Sequence, residues 1–314
     1  EHGTHVAGII AAEENNGKGG AGIAPDAKVS GYCVFSTSGG AIESDIIRAI
    51  NAAITNGYDI INMSLGGYYY SKNEADAVKR AYEAGVAVFA AAGNEATNAN
   101  SYPAAYPGVI SVGAVDKTGA KASFSNYGST VDVSFPGVAI YSTTPGSTSS
   151  YESWNGTSMA CPAAAGTAAV ILSARSDIRS KSGKQKVDAL LAAMKKSTTK
   201  SSSGGMGAGT TYLPGVLGLA TTQTAPAAPA IEIQGNYDSS KKYYRNQSVT
   251  ATISTTTPVG VAIYYSTDGK KPSYKNGVVT NGKLLTATPT GNTKYSGTVT
   301  LTGAKKVTVN AIVV

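Results

Sequence analysis

The sequence has few residues of the kinds that cross-link a chain or bind metals. Its 314 residues include only two cysteines, two histidines and one tryptophan, and charged residues make up 14%. Two cysteines cannot form a disulfide framework, so the fold has to depend on packed apolar cores. We predict that Cys33, within an apolar run, and Cys161, within a segment of small residues, are both buried free thiols.

Long hydrophobic runs are also missing, because no stretch of 18 apolar residues occurs. The sequence therefore predicts no transmembrane helix. No signal peptide is visible, since the chain opens inside a motif at Glu1 and His2, and this says nothing about export. The length suits one large domain and one small domain.

Charge is spread unevenly along the chain. Residues 1–222 carry 16 basic and 16 acidic side chains, whereas residues 223–314 carry ten basic and three acidic ones, which accounts for the whole net charge of +7. A basic surface attracts anionic polymers, although a solvated face that keeps a small domain soluble is the simpler interpretation. We expect a monomer that binds no nucleic acid.

Strand and helix patterns alternate through the first 200 residues. Strands are predicted at 28–35, 58–65, 86–92 and 109–115, and helices at 41–56, 73–84, 157–174 and 184–196. Continuous apolar strands alternating with helices indicate an α/β fold, in which a parallel sheet has helices on both faces.

The pattern changes after residue 222. Residues 223–230 belong to a Pro/Ala-rich linker of the extended kind. Beyond it, short runs of Val, Ile, Thr and Tyr alternate with turn residues and show no helical period. The sequence thus predicts one domain at 1–222, a linker at 223–230 and a small all-β sandwich at 231–314.

Three motifs stand out in the first domain: H-G-T-H-V-A-G at residues 2–8, A-A-A-G-N at 90–94 and N-G-T-S-M-A-C-P at 155–162. Two further segments belong to the same pattern: N-M-S-L-G-G at residues 62–67 and Y-P-G-V-I-S-V-G-A at 106–114. In this order and spacing they resemble the subtilisin-like (subtilase, peptidase S8) family of serine proteases over about residues 1–222.

The chemistry of these motifs agrees with that resemblance. A serine hydroxyl is a poor nucleophile and needs an adjacent base, so His2 is the candidate base and Ser158 the candidate nucleophile. The resemblance implies that the Asn94 side-chain amide and the Ser158 backbone N–H form the oxyanion hole. His5, one helical turn after His2, is expected to be a packed or capping residue.

The resemblance also implies where a polypeptide substrate binds. Three residues would pair with the extended peptide as an added strand: Ser64, Leu65 and Gly66. Four small residues would line the pocket for the side chain before the scissile bond, the last of them near its floor: Ala91, Ala92, Gly93 and Ser101.

The family's third catalytic residue is an aspartate some tens of residues before the histidine, which would lie upstream of Glu1. Asp26, Asp59 and Asp132 do not occupy positions from which they could orient His2. Because the aspartate fixes the imidazole tautomer, we expect this fragment alone to be impaired in catalysis.

A structural calcium ion is common in the family, and the loop at residues 13–20 resembles its ligand loop. Asn15 is a candidate ligand, since Ca²⁺ prefers oxygen donors. A plain glycine-rich surface loop is an equal interpretation. No cofactor is required for the chemistry itself.

Segments 261–272, 295–301 and 307–313 resemble the Ig-like module at the C-terminus of chitobiases and many bacterial surface enzymes. That resemblance implies a spacer, or contact with a cell surface or polysaccharide. The leading hypothesis is a secreted or cell-surface bacterial serine endopeptidase acting through an acyl-enzyme. The alternative is a catalytically incompetent protease-fold scaffold whose C-terminal domain binds a surface polymer.

Overall fold

The computed structural model describes residues 1–37 and 39–218, and eleven short strands between residues 230 and 313. The chain divides into two units, Glu1–Thr221 and Thr222–Val314, which are described separately.

The first unit is built on a parallel sheet of four strands. The strands are β1 (Ile60–Met63), β2 (Ala87–Ala91), β3 (Val109–Val115) and β4 (Val133–Pro136), and they lie side by side in the order β1-β2-β3-β4. Every pairing is parallel, for example with Val88 opposite Val109. All residues of β2 and β3 are buried, as expected for parallel strands that are covered on both faces.

The described residues of this unit form seven helices, two of them single turns. They are α1 (His2–Ala11), α2 (Glu43–Thr55), α3 (Lys72–Ala84), α4 (Thr157–Ala174), α5 (Ser176–Arg179), α6 (Gly183–Lys196) and α7 (Leu213–Val216). The helices predicted at 41–56, 73–84, 157–174 and 184–196 are confirmed as α2, α3, α4 and α6.

Side chains of β2 alternate between two apolar cores. Phe89 packs in the core that contains Ala164 of α4, whereas Val88 packs in the core that contains Ile50 of α2 and Val78 of α3. Because successive side chains of a strand point to opposite faces, the helices cover both faces of the sheet. The α/β fold with a covered parallel sheet is thereby confirmed.

Local sequence explains how α3 begins and ends. The hydroxyl of Ser71 caps the helix by accepting a hydrogen bond from the Glu74 backbone N–H at 3.2 Å. Gly85 ends the helix with φ at +83°, a left-handed conformation that glycine adopts without strain.

In the part of the chain that the structure describes, α4 alone is long and apolar enough to cross a membrane. However, 72% of its residues are buried inside the first unit, and Ala160, Ala168 and Ile171 are fully inaccessible. Its apolar composition is that of a helix covered by the sheet on one side and by other helices elsewhere.

In its described residues the first unit also contains two antiparallel pairs of strands. One is the hairpin of β5 (Ile140–Thr143) and β6 (Tyr151–Trp154), and the other pairs β7 (Thr198–Thr199) with β8 (Thr210–Thr211). The sequence did not predict the hairpin, which lies against α1.

The strand predicted at 28–35 is wrong. This segment forms only one bridge, Phe35 opposite Ala41, and no strand pairs with the free edge of β1 among the described residues. Without that neighbour the apolar run stays at the surface, where Tyr32 is 43% exposed. The prediction that Cys33 is buried is wrong for the same reason, whereas Cys161 is the buried free thiol that was predicted.

The second unit is all β in its described residues. In chain order the strands are β9 (Ala230–Gln234), β10 (Tyr237–Asp238), β11 (Tyr243–Tyr244), β12 (Ser248–Thr255), β13 (Ile263–Ser266), β14 (Ser273–Lys275), β15 (Val278–Thr280), β16 (Lys283–Leu284), β17 (Thr288–Pro289), β18 (Tyr295–Thr302) and β19 (Asn310–Val313). One antiparallel sheet has the order β17-β18-β12-β9, and a second has the order β16-β13-β19. Strands β10 and β11, and β14 and β15, form separate antiparallel pairs. The linker predicted at 223–230 lies outside the described residues apart from Ala230.

Phe89→Ala is expected to lower the free energy of unfolding of the first unit by about 3–5 kcal/mol, because it leaves a cavity at a fully buried position. Urea unfolding followed by far-UV circular dichroism measures this loss. The matched control is Tyr69→Ala, at a ring that is 82% exposed, which should change the free energy by less than about 0.5 kcal/mol. Equal losses in both variants would contradict the core described above.

Candidate active site

Ser158 is the second residue of α4, directly after the turn made by Gly156 and Thr157. Gly156 has φ at +155°, which a side chain would strain. The Ser158 backbone N–H is among the first four of the helix, which have no partner within the helix. It has no acceptor among the described residues, so it is free to donate at the helix end where partial positive charge gathers.

The Ser158 side chain lies beside the segment that follows β1. Its hydroxyl lies 3.4 Å from the carbonyl oxygen of Ser64, and the Ser64 hydroxyl donates to the Ser158 carbonyl at 2.8 Å. These two contacts fix the first turn of α4 against the carboxyl end of β1.

The Asn94 side chain is oriented by Thr157. Its Oδ1 accepts the Thr157 backbone N–H at 2.8 Å and the Thr157 hydroxyl at 2.9 Å. Since both partners donate, the oxygen of the amide has to face Thr157, and the Nδ2 group is left as a donor on an exposed side chain. Two free N–H donors, Asn94 Nδ2 and the Ser158 N–H, thus lie at the N-terminal end of α4.

The loop that carries Asn94 is itself held firmly. Glu95 Oε2 accepts the Asn94 backbone N–H at 2.9 Å and Asn126 Nδ2 at 2.8 Å. Gly93 has φ at +107°, and a Cβ there would lie 2.3 Å from Asn126 Nδ2. Neither Asn126 nor Thr157 was assigned a role from the sequence, although Thr157 lies inside the third motif.

His2 is the first residue of α1, which packs against α4. Its side chain is half-buried, and burial lowers its pKa below the ordinary value of 6.5, with repulsion from His5 adding to the effect. The imidazole is therefore mainly neutral at pH 7, as a general base has to be. Among the described residues no hydrogen bond joins His2 to Ser158.

His5 is fully buried, as a packed residue was predicted to be. The aspartates considered from the sequence are placed elsewhere: Asp59 pairs with Lys186, and Asp132 pairs with Lys195. Asp26 is exposed. None of the three is bonded to His2.

The predicted substrate-binding residues lie at one edge of the sheet. Ser64, Leu65 and Gly66 directly follow β1, and Ala92 and Gly93 directly follow β2. Ala91 is the last residue of β2. A Cβ on Gly66 would lie 3.1 Å from the hydroxyl of Ser101, which is buried at this edge. The structure therefore brings the carboxyl ends of two neighbouring parallel strands, and Ser101, close together.

The loop at residues 13–20 is exposed at the surface. Asn16 Oδ1 accepts the Lys18 backbone N–H at 2.9 Å, and the side chains of Glu13, Glu14 and Asn15 are exposed. In the described ranges no cluster of three or more His, Cys, Asp or Glu side chains could hold a metal. Calcium takes about six to eight oxygen ligands, which amide and backbone carbonyl oxygens can also supply, so Asn15 as a ligand stays a prediction.

Known proteins are similar to this chain. Residues 1–209 match the sequence profile of the subtilase family. The chain belongs to the subtilase family. It is 48% identical to Subtilisin DY of Bacillus licheniformis over 176 residues, which is 55% of this chain and 63% of that protein. It is 49% identical to Subtilisin E of Bacillus subtilis (strain 168) over 176 residues, or 55% of this chain and 45% of that protein.

Two solved protease structures are also similar. A protease of Pseudoalteromonas arctica matches with a TM-score of 0.62 and 35% identity, over 69% of this chain and 70% of that one. The Prenylagaramide maturation protease PagA matches with a TM-score of 0.61 and 30% identity, over 69% of this chain and 81% of that one. The chain thus spans between 45% and 63% of the two curated subtilisins, and a larger share of the two solved proteases.

Proton NMR is expected to show the pKa of His2 below 6.5 in this chain, because the half-buried site disfavours the charged imidazolium. With only two histidines, His5→Phe assigns the remaining resonance to His2. A pKa at or above 6.5 would contradict the desolvated environment that the structure gives to this side chain.

Proposed function

We propose that the whole protein is a serine endopeptidase of the subtilisin type. The observation that carries the proposal is the pair of hydrogen bonds from Thr157 to Asn94 Oδ1, which leaves Asn94 Nδ2 as a donor at the helix end that bears Ser158. A donor side chain and a free backbone N–H beside a serine hydroxyl are what an oxyanion hole requires.

In this mechanism Ser158 Oγ attacks the carbonyl carbon of the scissile bond while His2 takes the hydroxyl proton. The carbonyl oxygen becomes negatively charged and is held by the Ser158 N–H and Asn94 Nδ2. The C–N bond then breaks as His2 returns the proton to the leaving amine, which gives an acyl-enzyme. Water releases the acyl group by the same route, with His2 again acting as the base.

A third residue has to orient the His2 imidazole. We propose that an aspartate preceding His2 in the full-length protein supplies this group, as the family resemblance implies. The described aspartates Asp59 and Asp132 support this view, because both are already paired with lysines.

The substrate in this proposal is an extended polypeptide that pairs with Ser64, Leu65 and Gly66. The small residues at 91–93 leave a roomy pocket for the side chain before the scissile bond, which favours broad specificity. Secretion is consistent with membership of a family whose subtilisins act outside the cell.

We also propose that residues 231–314 form an Ig-like sandwich that contacts a surface polymer. Two antiparallel sheets and the fully buried Ile253 support a packed β-unit. Its ten basic and three acidic side chains suit an anionic polymer of the cell surface. The scaffold alternative is less well supported, because His2, Asn94 and Ser158 are all retained.

A fluorophosphonate probe is expected to label Ser158 in the full-length protein, since the probe reacts only with an activated serine. Asn94→Leu should slow labelling about a hundred- to thousand-fold, the usual loss when one oxyanion donor is removed. Intact-mass spectrometry over time measures the rate.

Two variants complete that experiment. Ser158→Ala should abolish labelling, and Asn98→Leu, the same change at an exposed asparagine of the same loop, should leave the rate unchanged. A full-length protein that is never labelled would favour the scaffold alternative over the peptidase.

Deletion of residues 223–314 is expected to leave the labelling rate unchanged and to abolish sedimentation of the protein with insoluble anionic cell-wall polymer. The binding of the intact chain should weaken as salt rises, because the attraction depends on the basic excess of this segment. Equal sedimentation with and without the segment would refute the attachment role.

A further inference from the structure

We propose that the β5–β6 hairpin positions the candidate base: through Trp154 and His5 it holds α1, and with it His2, in a fixed relation to the turn that leads to Ser158. This inference rests on the peptidase proposed above and identifies a positioning element for its site. The element consists of β5 (Ile140–Thr143) and β6 (Tyr151–Trp154), which are not among the residues expected to touch the substrate.

The hairpin contacts α1 through two stacked rings. The indole of Trp154 and the imidazole of His5 have centroids 4.3 Å apart and planes inclined by only 4°. The same imidazole also makes a polar contact with the hairpin. His5 Nε2 lies 3.1 Å from the Glu152 carbonyl oxygen, and because that oxygen can only accept, Nε2 is the donor. Trp154 Nε1 in turn donates to the Glu152 carboxylate at 2.9 Å.

His5 depends on this hairpin for its orientation. Its side chain is fully buried, and its Nδ1 has no hydrogen-bond partner among the described residues. The stack and the single bond to Glu152 are therefore the contacts that fix the ring. His5 lies one turn after His2 on the same helix, so a ring held here fixes the rotation of α1 about its axis.

Backbone contacts strengthen the same attachment. The Ser142 hydroxyl donates to the His5 carbonyl at 2.7 Å, and the Thr143 hydroxyl donates to the Thr4 carbonyl at 2.9 Å. The approach is close enough that a Cβ on Gly8 would lie 2.2 Å from Thr143 Oγ1. Strand β5 thus lies directly on the first two turns of α1.

The open end of the hairpin leads into the turn that precedes Ser158. Trp154 precedes Ser158 by four residues, and Asn155 Oδ1 accepts the Ala139 N–H at 2.6 Å. The Gly156 N–H donates to the Gly137 carbonyl at 2.8 Å, just before α4 begins. One hairpin therefore joins the helix that starts with His2 to the turn that presents Ser158.

Such a link has a kinetic consequence, because general-base catalysis requires the base within hydrogen-bond reach of the hydroxyl. A displacement of about 1 Å in a reacting group costs on the order of a hundred-fold in rate. If α1 moved when the hairpin loosened, the half-buried His2 would become more exposed, and its pKa in the 314-residue chain would return toward the ordinary value.

The test compares ring-removing and ring-keeping variants of Trp154 in the full-length protein. Trp154→Ala should slow fluorophosphonate labelling of Ser158 about ten- to hundred-fold, whereas Trp154→Phe, which keeps an aromatic ring, should stay within about three-fold. The pKa of His2, followed by NMR in the 314-residue chain, should rise in Trp154→Ala and stay unchanged in Trp154→Phe.

The matched control is Tyr141→Ala. Tyr141 stacks on Tyr151 in the same hairpin, with centroids 5.4 Å apart, and its ring is 54% exposed and not paired with α1. This variant should leave both the labelling rate and the His2 pKa unchanged. Circular dichroism confirms folding, and Trp154→Leu, which retains side-chain bulk, replaces Trp154→Ala if that variant does not fold.

The outcomes separate the two proposals. An unlabelled wild-type protein would defeat the peptidase proposal, and the His2 pKa would then still decide the role of the hairpin. A labelled wild type with unchanged rate and unchanged His2 pKa in Trp154→Ala would overturn the positioning role and leave the peptidase intact. Equal effects of Tyr141→Ala and Trp154→Ala would overturn it as well, because the hairpin would then act only through stability.

The only tryptophan of the chain gives a direct check on the stack. In His5→Ala the indole loses its covering ring, so quenching of Trp154 fluorescence by acrylamide should become at least about two-fold stronger than in the wild type. Unchanged quenching would mean that the two rings are not stacked in solution, which would also overturn the proposal.

Discussion

The hydrogen bonds from Thr157 to the Asn94 side chain connect the two halves of the candidate site. Asn94 follows β2 and Thr157 begins α4, so these bonds tie a strand end to a helix end that are 63 residues apart in sequence. They also determine which group of the Asn94 amide is free to bind a substrate. Because its oxygen is already hydrogen-bonded to Thr157, the N–H₂ group is the one left as a donor. If Asn94 turned the other way, an acceptor would face the developing oxyanion and repel it.

The rest of the first unit serves to keep those ends in place. A parallel sheet delivers the carboxyl ends of β1 and β2 to one edge, where the segments at 64–66 and 91–93 meet. The buried helix α4 crosses behind the sheet and presents its N-terminus at the same edge, where free N–H groups favour negative charge. Because the strands are buried on both faces in a closely packed interior of low compressibility, this edge of the sheet has little freedom to move.

Sequence reasoning succeeded where local signals agreed. The helical spacing of Ile46 and Ile50 and the stop at Gly57 predicted α2, and the continuous apolar run at 109–115 predicted β3 to the residue. It failed at 28–35, whose apolar pattern is that of a strand. A strand also needs a neighbour with which to exchange hydrogen bonds, and the sequence of a segment does not say whether one is present.

By itself the sequence determined the parallel α/β class and the three motifs that carry the candidate chemistry, because burial periodicity and glycine-rich turns are local properties. Only the tertiary structure decided which atom of Asn94 faces Thr157, that Cys33 is exposed while Cys161 is buried, and that His5 stacks on Trp154. Each of these depends on contacts between residues distant in the chain. Their geometry is set by packing of whole elements, which no single segment encodes.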